Sequence, residues 1–336
     1  MRRAFLGWAG AAACVACPKV AFAAFPAQAA SQVPLVFGLF PARDPKKMLT
    51  DWQPLFELLS KEIGRPVEGR VADETELVAG IKAGIVDIAW MGNVPALALV
   101  EEGAGAVFAR ILSERGEAAY SSILVASAAG PVSSLKDALR LAPTLNVAFG
   151  EKRSFSGYAV PRYYALVRSG VRQDPGLVFK TMQYGSHRQN MASVATGKVQ
   201  LATSNSEEYR LLQEKDAREA AKLRVVWRSV DLPQSPLVWS ARLPREMRAR
   251  VSRFFWSMDA STGQLPDALK AIRLGGFQKS SNRQLIPVVD VQMFLEMELA
   301  MQGLQTQAQR KTVLADISRR SSRIEMQLKF NGGSGV

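Results

Sequence analysis

Two serines flank a phenylalanine just ahead of a glycine in the segment Ser154-Phe155-Ser156-Gly157. The surrounding pattern predicts a strand-to-helix junction, where unpaired backbone N–H groups and the positive end of the helix dipole attract an anion. The hydroxyls of Ser154 and Ser156 add donors, and Gly157 has no side chain to hinder close approach. An ordinary serine N-cap needs only one hydroxyl, so these residues alone leave an anion site and a simple cap equally open.

The single histidine of the chain, His187, follows Gly185-Ser186 at the start of a helix predicted over 188–196. An imidazole N–H in the first turn of a helix could reach an oxyanion across a cleft. Taken alone, the pattern favours an exposed or capping histidine instead. No carboxylate or nucleophile is recognisably placed to make His187 the base of a hydrolase triad.

Composition excludes several other kinds of chemistry. The two cysteines, Cys14 and Cys17, lie in the first thirty residues, so a zinc site of the usual Cys/His kind cannot be assembled. We expect no metal, no cofactor and no catalytic residue. The formal net charge of +13 would suit nucleic acid, but no arginine-rich stripe with interleaved aromatic residues occurs. A nucleic-acid partner is therefore not expected.

Residues 1–30 have the three parts of a secretory signal peptide. Arg2 and Arg3 supply the positive start, residues 4–15 an apolar run, and Ala21-Phe22-Ala23 a small-x-small cleavage signal. The run is shorter than the roughly 20 residues of a spanning helix. We expect export, with cleavage near residues 23–30. The mature chain would then contain no cysteine and would fold without disulfides.

The elements that must position the serines and the histidine alternate between strands and helices. Apolar runs separated by helically spaced apolar residues predict an α/β fold with largely parallel pairing. The first predicted elements are a strand at 35–39, a helix over 52–63, a strand at 67–72, a helix over 76–83 and a strand at 86–90.

An internal echo relates two parts of the chain: Gly84-Ile85-Val86-Asp87-Ile88-Ala89 reappears loosely as Gly197-Lys198-Val199-Gln200-Leu201-Ala202. Each copy follows a predicted helix and runs into a polar stretch containing an asparagine, Asn93 or Asn205. The echo indicates two similar lobes whose strand ends face each other across a cleft, where open α/β sheets bind ligands. Coincidence between common helix-glycine-strand junctions is the alternative.

These pieces, in this order, resemble the phosphate/phosphite/phosphonate-binding subunits of ABC transporters, which are type II periplasmic binding proteins. The resemblance runs from about residue 36 to 298. It implies an α/β fold of two lobes with mixed, mostly parallel sheets, a ligand cleft between them and two crossing strands. Its most specific parts are Ser154-Phe155-Ser156-Gly157-Tyr158 with Pro161, Gly185-Ser186-His187 with Gly197-Lys198-Val199, Ser206-Glu207, and residues 233–239.

The resemblance also implies a division of the chain. We expect a signal peptide at 1–30, the first part of lobe 1 at 31–125, an inserted lobe 2 at 126–232, the second part of lobe 1 at 233–300, and a helical basic tail with a flexible end at 301–336. Residues 301–330 carry six Lys/Arg against two Asp/Glu. Packing of this tail on lobe 1 is expected, with contact to a membrane surface or a partner as the alternative.

Carried over by position, Ser154, Phe155 and Ser156 fall on the Ser-Thr-Ser phosphonate grip of the family, so the two outer hydroxyls are kept and the middle one is lost. His187 falls on the ligand histidine of the family. Glu207 falls on a carboxylate that receives the amino group of aminoalkylphosphonates. These five residues and Gly157 are therefore the candidates for ligand binding from this half of the site.

The other half of the site departs from the family. Glu74 and Met91 stand where well-studied phosphonate binders have tyrosines, and Ser235 stands where they have a second amine-binding aspartate. Asn93 is expected to contact the anion from lobe 1. A carboxylate within about 4 Å of a phosphonate oxygen would repel it by roughly 4 kcal/mol at an effective dielectric near 20. Glu74 must therefore point away, pair with a cation such as Arg153, or face a positive group on the ligand.

The function expected from these residues is that of an exported, periplasmic, monomeric solute-binding protein. It would close two lobes over a small oxyanion, such as a phosphonate, phosphite, phosphate or related organic anion, and deliver it to an ABC permease at the inner membrane. The alternatives are a periplasmic sensory module for a kinase and a phosphoryl or acyl hydrolase.

Overall fold

A computed structural model describes residues 33–41, 44–152, 154–258, 267–301 and 306–330. The expected signal peptide at 1–30, Arg153 and the end of the tail at 331–336 lie outside these ranges. The strands are β1 Leu35–Leu39, β2 Val67–Val71, β3 Ile88–Trp90, β4 Gly105–Leu112, β5 Ala119–Tyr120, β6 Ser122–Ser127, β7 Asn146–Phe149, β8 Thr181–Tyr184, β9 Leu201–Asn205, β10 Leu223–Arg228, β11 Leu232–Pro233, β12 Pro236–Ser240 and β13 Gly276–Lys279.

Helices cover both sheets. They are α1 Pro45–Ile63, α2 Glu74–Ala83, α3 Asn93–Glu101, α4 Leu135–Arg140, α5 Pro175–Val178, α6 His187–Ala195, α7 Ser206–Lys215, α8 Ala217–Ala220, α9 Arg245–Trp256, α10 Ala268–Ile272, α11 Ile286–Met301 and α12 Gln307–Phe330. Short 3-10 turns occupy Ala142–Thr144, Val167–Ser169 and Asn282–Leu285, and π-helical turns Phe155–Ala159 and Pro161–Leu166. Within the described ranges, no helix is both long and apolar enough to cross a bilayer.

Two separate sheets define two lobes. The sheet of lobe 1 has the strand order β13-β4-β12-β3-β1-β2 and draws on both halves of the chain. The sheet of lobe 2 has the order β10-β6-β9-β7-β8, and all its strands lie between β5 and β11 in the chain. Strands β5 and β11 pair antiparallel where the chain crosses between the lobes. The two-lobed α/β fold is confirmed.

Parallel pairing is less dominant than the sequence indicated. It is found between β1 and its neighbours β2 and β3, and between β7 and its neighbours β8 and β9. Strands β12 and β6 enter their sheets antiparallel, because each comes directly from a crossing between lobes rather than from a strand-helix-strand unit. The sheets are therefore mixed.

The echo between the two halves marks equivalent strands. Strand β3 lies between a parallel neighbour, β1, and an antiparallel one, β12, while β9 lies between parallel β7 and antiparallel β6. The glycines that open the two copies, Gly84 and Gly197, both adopt left-handed conformations, with φ of 77° and 75°. Such a turn after a helix favours glycine. Both strands therefore deliver their polar carboxyl ends to corresponding edges of the two sheets.

The C-terminal helices tie the lobes together. Val288 and Val289 of α11 are buried in the core of lobe 1, whereas Val291 packs with Ala159 and Val160 of lobe 2. Helix α12 then lies on lobe 1, with Ile324 and Leu328 buried in the same core. Its Arg320 donates to both oxygens of Glu101, at 2.6 and 2.7 Å, and to Glu296 of α11. The basic tail thus packs on lobe 1.

A buried arginine fixes α11 to lobe 2. The guanidinium of Arg162 is 1% exposed and donates to the carbonyl oxygens of Val171, at 3.0 Å, and Arg172, at 2.9 Å. It also donates to the carboxylate of Glu298, whose pKa is raised by burial and lowered by Arg162. Without Arg162, the carbonyl oxygens of Val171 and Arg172 would lose their hydrogen-bond donor. The Arg162 side chain therefore has a structural role.

Replacing Arg162 with methionine should lower the free energy of unfolding by about 2 kcal/mol, because buried carbonyl groups are left unpaired. Urea unfolding monitored by circular dichroism measures the change. Arg168→Met is the control, since Arg168 lies over the ring of Tyr164 and makes no comparable buried network. An equal loss in both variants would contradict the assignment.

Candidate functional site

The junction after β7 places Ser154 and Ser156 at the start of a helical segment. Ser154 has extended backbone angles, and its Oγ accepts the Gly157 N–H at 3.0 Å. The carbonyl oxygen of Ser154 accepts from Tyr158 and Ala159 at 3.0 and 3.1 Å. The helical turn therefore begins at Phe155, because Ser154 already supplies the cap.

The second serine faces the histidine. Ser156 Oγ lies 3.2 Å from His187 Nε2. The backbone carbonyl of Ser156 accepts from Ser122 Oγ at 2.6 Å. Ser122 lies in the crossing between lobes, so Ser156 joins the helix start to the hinge.

The glycine after the two serines is required by close packing. A Cβ on Gly157 would lie 2.7 Å from Ser154 Oγ, 3.0 Å from Gly150 Cα and 3.1 Å from His187 Cε1. Any side chain at Gly157 would therefore displace the histidine or the cap. That Gly157 also lets an anion approach closely stays a prediction.

His187 is the first residue of α6 and is neutral at physiological pH. Ser186 caps the helix in a reciprocal capping box with Gln189. Burial lowers the pKa of His187 to about 4. Among the described residues, its buried Nδ1 atom has no hydrogen-bond partner. The ring is held by its position at the helix start and by Ser156, and it is free of any carboxylate that would make it a base.

A second polar cluster lies at the hinge. Gln234 Nε2 donates to Glu207 Oε1 at 2.7 Å. Burial raises the pKa of Glu207, and the bond from Gln234 works against that rise. Burial, then the charge of Glu207, raises the pKa of Tyr120 to about 12, so the phenol stays protonated. The cluster connects the start of α7 in lobe 2 to the returning strand.

Two neighbouring residues of this hinge region make different contacts. The backbone carbonyl of Ser235 accepts from the Ile111 N–H at 3.1 Å. The adjacent Gln234, which the sequence did not single out, donates to Glu207. A contact between Ser235 and a ligand stays a prediction.

Asn93 is the first residue of α3, and both the nitrogen and the oxygen of its side-chain amide make hydrogen bonds within the protein. Its Nδ2 donates to the carbonyl oxygen of Pro233 at 2.9 Å, and its Oδ1 accepts from Gln284 Nε2 at 3.0 Å. Asn93 therefore ties lobe 1 to the hinge strand. A contact between Asn93 and a ligand stays a prediction.

Glu74 does not project freely toward an anion. Its Oε1 accepts the Gly92 N–H at 2.7 Å, at the N-terminus of α3, where Gly92 has no side chain to cap the helix. Burial raises the pKa of Glu74, and the bond from Gly92 opposes that rise. The Glu74 carboxylate thus accepts a hydrogen bond from a backbone N–H at a helix start, which is the kind of group that binds oxyanions. The alternative partner considered, Arg153, lies outside the described residues.

Met91 and Phe155 lie in apolar surroundings. The side chain of Met91 is fully buried in the lobe 1 core, so the structure does not bring it to an open surface. Phe155 packs against that same core and against the small cluster around Val160 and Leu232. Phe155 therefore lies between the lobes, next to the two serines.

The structure thus brings Ser154, Ser156, Gly157 and His187 together in lobe 2, and Glu207 is bonded to Gln234 at the hinge. Glu74, Met91 and Asn93 follow the carboxyl ends of β2 and β3 in lobe 1. Among the residues that the structure describes, no group of His, Cys, Asp and Glu is placed to hold a metal ion. The arrangement offers neutral donors and helix ends, which suit an anion.

Comparison with known families agrees with this chemistry. Residues 37–285 match the family of periplasmic substrate-binding proteins of phosphonate ABC transporters. The chain belongs to this family. Its members are the substrate-binding components of transporters, which work with a membrane permease and act in the periplasm. Helices α11 and α12 lie beyond the matched residues.

Individual members of the phosphonate-binding family show how far the likeness extends. The phosphonates-binding periplasmic protein of Escherichia coli (strain K12) is 29% identical over 265 residues, which cover 79% of this chain and 77% of that protein. The crystal structure of a binding protein component of an ABC phosphonate transporter from Pseudomonas aeruginosa has a TM-score of 0.67 and 28% identity, covering 89% of this chain and 98% of that one. PhnD1 from Prochlorococcus marinus (MIT 9301), solved in complex with methylphosphonate, shares the fold with a TM-score of 0.61 at 18% identity, covering 78% of this chain and 98% of that one.

Proposed function

We propose that this phosphonate-binding family member is a monomeric periplasmic receptor for a small oxyanion, an organophosphonate or a close relative, which it delivers to an ABC importer. The observation that carries the proposal is the convergence of Ser154, Ser156 and His187 at one helix start beside the hinge. We propose the cleavable signal peptide at 1–30 as the means of export.

The geometry indicates how an anion would be held. The start of the π-helical turn and the start of α6 lie next to each other, since Ser156 Oγ and His187 Nε2 are 3.2 Å apart. Because His187 is neutral, its ring N–H serves as a donor and adds no fixed positive charge. Donors that are already in place cost little reorganisation when the anion arrives.

Lobe closure would complete the site. The β5–β11 pair and the Asn93–Pro233 bond join the lobes at the hinge, so a change in their backbone angles moves one lobe against the other. Phe155 already packs against the core of lobe 1. Closure over the anion would bury it between the helix start in lobe 2 and the α3 end in lobe 1.

The arrangement does not support the hydrolase alternative. Nδ1 of His187 has no carboxylate partner among the described residues. A serine nucleophile needs a base that a third group orients. The family match favours transport over the sensory alternative, so we propose binding without turnover.

The double variant Ser154→Ala/Ser156→Ala should weaken phosphonate binding by about tenfold or more, since each hydroxyl donates to or positions the anion. Isothermal titration calorimetry of the exported protein with methylphosphonate, phosphite, phosphate and a sulfonate measures the change. The matched control is Ser318→Ala/Ser322→Ala, two exposed serines on α12. An unchanged dissociation constant in the first variant would refute the grip, and binding of none of the four anions would refute the function.

A further inference from the structure

Helix α12 has two unlike faces. One face is fixed to lobe 1 through the buried Ile324 and Leu328 and through Arg320. The opposite face carries apolar side chains in solvent: Leu314 is 41%, Met326 60% and Phe330 80% exposed. An exposed phenylalanine and methionine on one helix face are unusual for a surface that meets only water.

Cations are interleaved with these apolar residues. At about 100° per residue, Leu314, Lys311, Met326, Arg319, Phe330 and Arg323 follow one another around about half of the helix circumference. The side chains of Arg319 and Arg323 are 77% and 72% exposed. Of the two acidic residues of α12, Asp316 lies at one edge of this arc and Glu325 lies between Leu314 and Lys311.

The ion pairs on this face are weak. Arg319 pairs with Asp316 one turn away, and Arg323 lies 3.6 Å from Glu101. Exposed pairs of this kind contribute little and exchange readily for other anions. The cations of the outward face are therefore available to a denser array of negative charge.

We propose that the outward face of α12 docks on an anionic phospholipid surface, with Met326 and Phe330 entering the interface and Lys311, Arg319 and Arg323 contacting lipid phosphates. Interleaved cations and large apolar side chains, on a helix with six basic and two acidic residues between 301 and 330, complement such a surface in both charge and polarity. A protein partner would not need cations spread evenly between the apolar positions.

Docking of this kind would hold the receptor close to its permease. A protein that stays at the membrane surface meets a membrane partner at a higher effective concentration than one that diffuses through the whole compartment. Because α12 is fixed to lobe 1 only by its inner face, the hinge between the lobes stays free to close.

Co-sedimentation of the exported protein with vesicles tests the proposal. Binding is expected to vesicles of phosphatidylcholine mixed with phosphatidylglycerol, and not to phosphatidylcholine alone. The triple variant Lys311→Glu/Arg319→Glu/Arg323→Glu should weaken the anionic-vesicle affinity by about a hundredfold. The matched control, Lys215→Glu/Arg218→Glu/Lys222→Glu, changes the net charge equally at exposed positions of lobe 2 and should retain most of the affinity.

A second variant keeps the charge and removes the apolar contact. Met326→Ser/Phe330→Ser should weaken binding to anionic vesicles by about tenfold, and the loss should persist at high salt, where electrostatic attraction is screened. Methylphosphonate affinity and the melting temperature should stay unchanged in all variants, which shows that they fold.

Three results would overturn the proposal. Equal weakening in the two triple variants would assign any vesicle binding to diffuse positive charge. No binding to anionic vesicles would show that the outward face of α12 does not dock on lipid, and would make the permease or another protein its partner. A dimer in sedimentation velocity that the α12 variants dissolve would make this face a contact between two copies of the chain.

Discussion

In the ligand-free protein, the imidazole of His187 should titrate with a pKa of about 4, and the value should rise when a phosphonate binds. Burial is the cause of the low value, and the neighbour of Nε2 is the Ser156 hydroxyl rather than a carboxylate. An anion at Nε2 would favour the imidazolium form. Because the chain has one histidine, a long-range proton–nitrogen spectrum of protein without a histidine tag follows this group alone.

The low pKa of His187 also makes the free energy of unfolding depend on pH. Between pH 6.5 and about 4, the unfolded chain binds a proton at His187 that the folded chain does not, so the free energy of unfolding falls as the pH falls. The full effect is about 3 kcal/mol, of which about 2 kcal/mol is lost between pH 7 and pH 5. In the His187→Gln variant, the free energy of unfolding should not show this decrease between pH 7 and pH 5.

Denaturant unfolding of both proteins at pH 7 and pH 5 isolates the contribution of the histidine. Burial raises the pKa values of Glu74 and Glu207, so these carboxyls stabilise the folded state as the pH falls. The two carboxyls are present in both proteins, and their contribution cancels in the difference. A histidine pKa near 6.5 in the free protein, or equal pH dependence in both, would contradict the expectation.

Local signals predicted much of the fold. The helix after β1 was expected from its apolar spacing and its closing glycine, and Gly64 does end it in a left-handed conformation, with φ of 67°. The echo starting at Gly84 and Gly197 identified strands with the same neighbours in the two sheets. Each of these patterns depends on residues that are close together in the chain, so it can be recognised from the sequence alone.

Directions of side chains at the hinge were harder to predict. In an extended segment, neighbouring residues point to opposite sides, so an assignment one position off exchanges a ligand-facing side chain for one that faces elsewhere. At the hinge, Gln234 contacts Glu207, and its neighbour Ser235 bonds only through its backbone carbonyl among the contacts described. In lobe 1, the Met91 side chain is buried in the core beside Gly92. Such directions depend on pairing between distant strands.

Contacts also differ in whether the sequence could predict them. The serines and Gly157 lie in one short segment, and their proximity to His187 follows from two strand ends that pair in parallel, β7 and β8. The bond between Arg162 and Glu298 joins residues 136 positions apart. Neither residue type nor spacing indicates such a partner, because α11 reaches lobe 2 only through the packing of both lobes.

Replacing Glu74 with glutamine should strengthen the binding of a dianionic phosphonate. The glutamine oxygen can still accept the Gly92 N–H, so the start of α3 keeps its cap while the negative charge is removed. Repulsion between two unit charges about 4 Å apart is roughly 4 kcal/mol at an effective dielectric near 20. Because the Glu74 carboxylate turns toward the Gly92 N–H, only part of this repulsion acts on the anion, and about 1.4 kcal/mol of it corresponds to a tenfold change in affinity. We expect a gain of about tenfold or more in affinity at pH 7, measured by calorimetry.

The pH dependence of this gain identifies its cause. Burial raises the pKa of Glu74, so the wild-type carboxyl takes up a proton at a higher pH than an ordinary glutamate does, and as the pH is lowered its affinity should approach that of Glu74→Gln. The ratio of the two affinities should therefore narrow as the pH falls, and ionisation of the ligand cancels because both proteins meet the same ligand. Glu76→Gln, at an exposed position in the same turn of α2, should leave affinity unchanged. Weaker binding by Glu74→Gln would mean that this carboxylate faces a cationic group of the ligand, and that the receptor selects zwitterions rather than simple dianions.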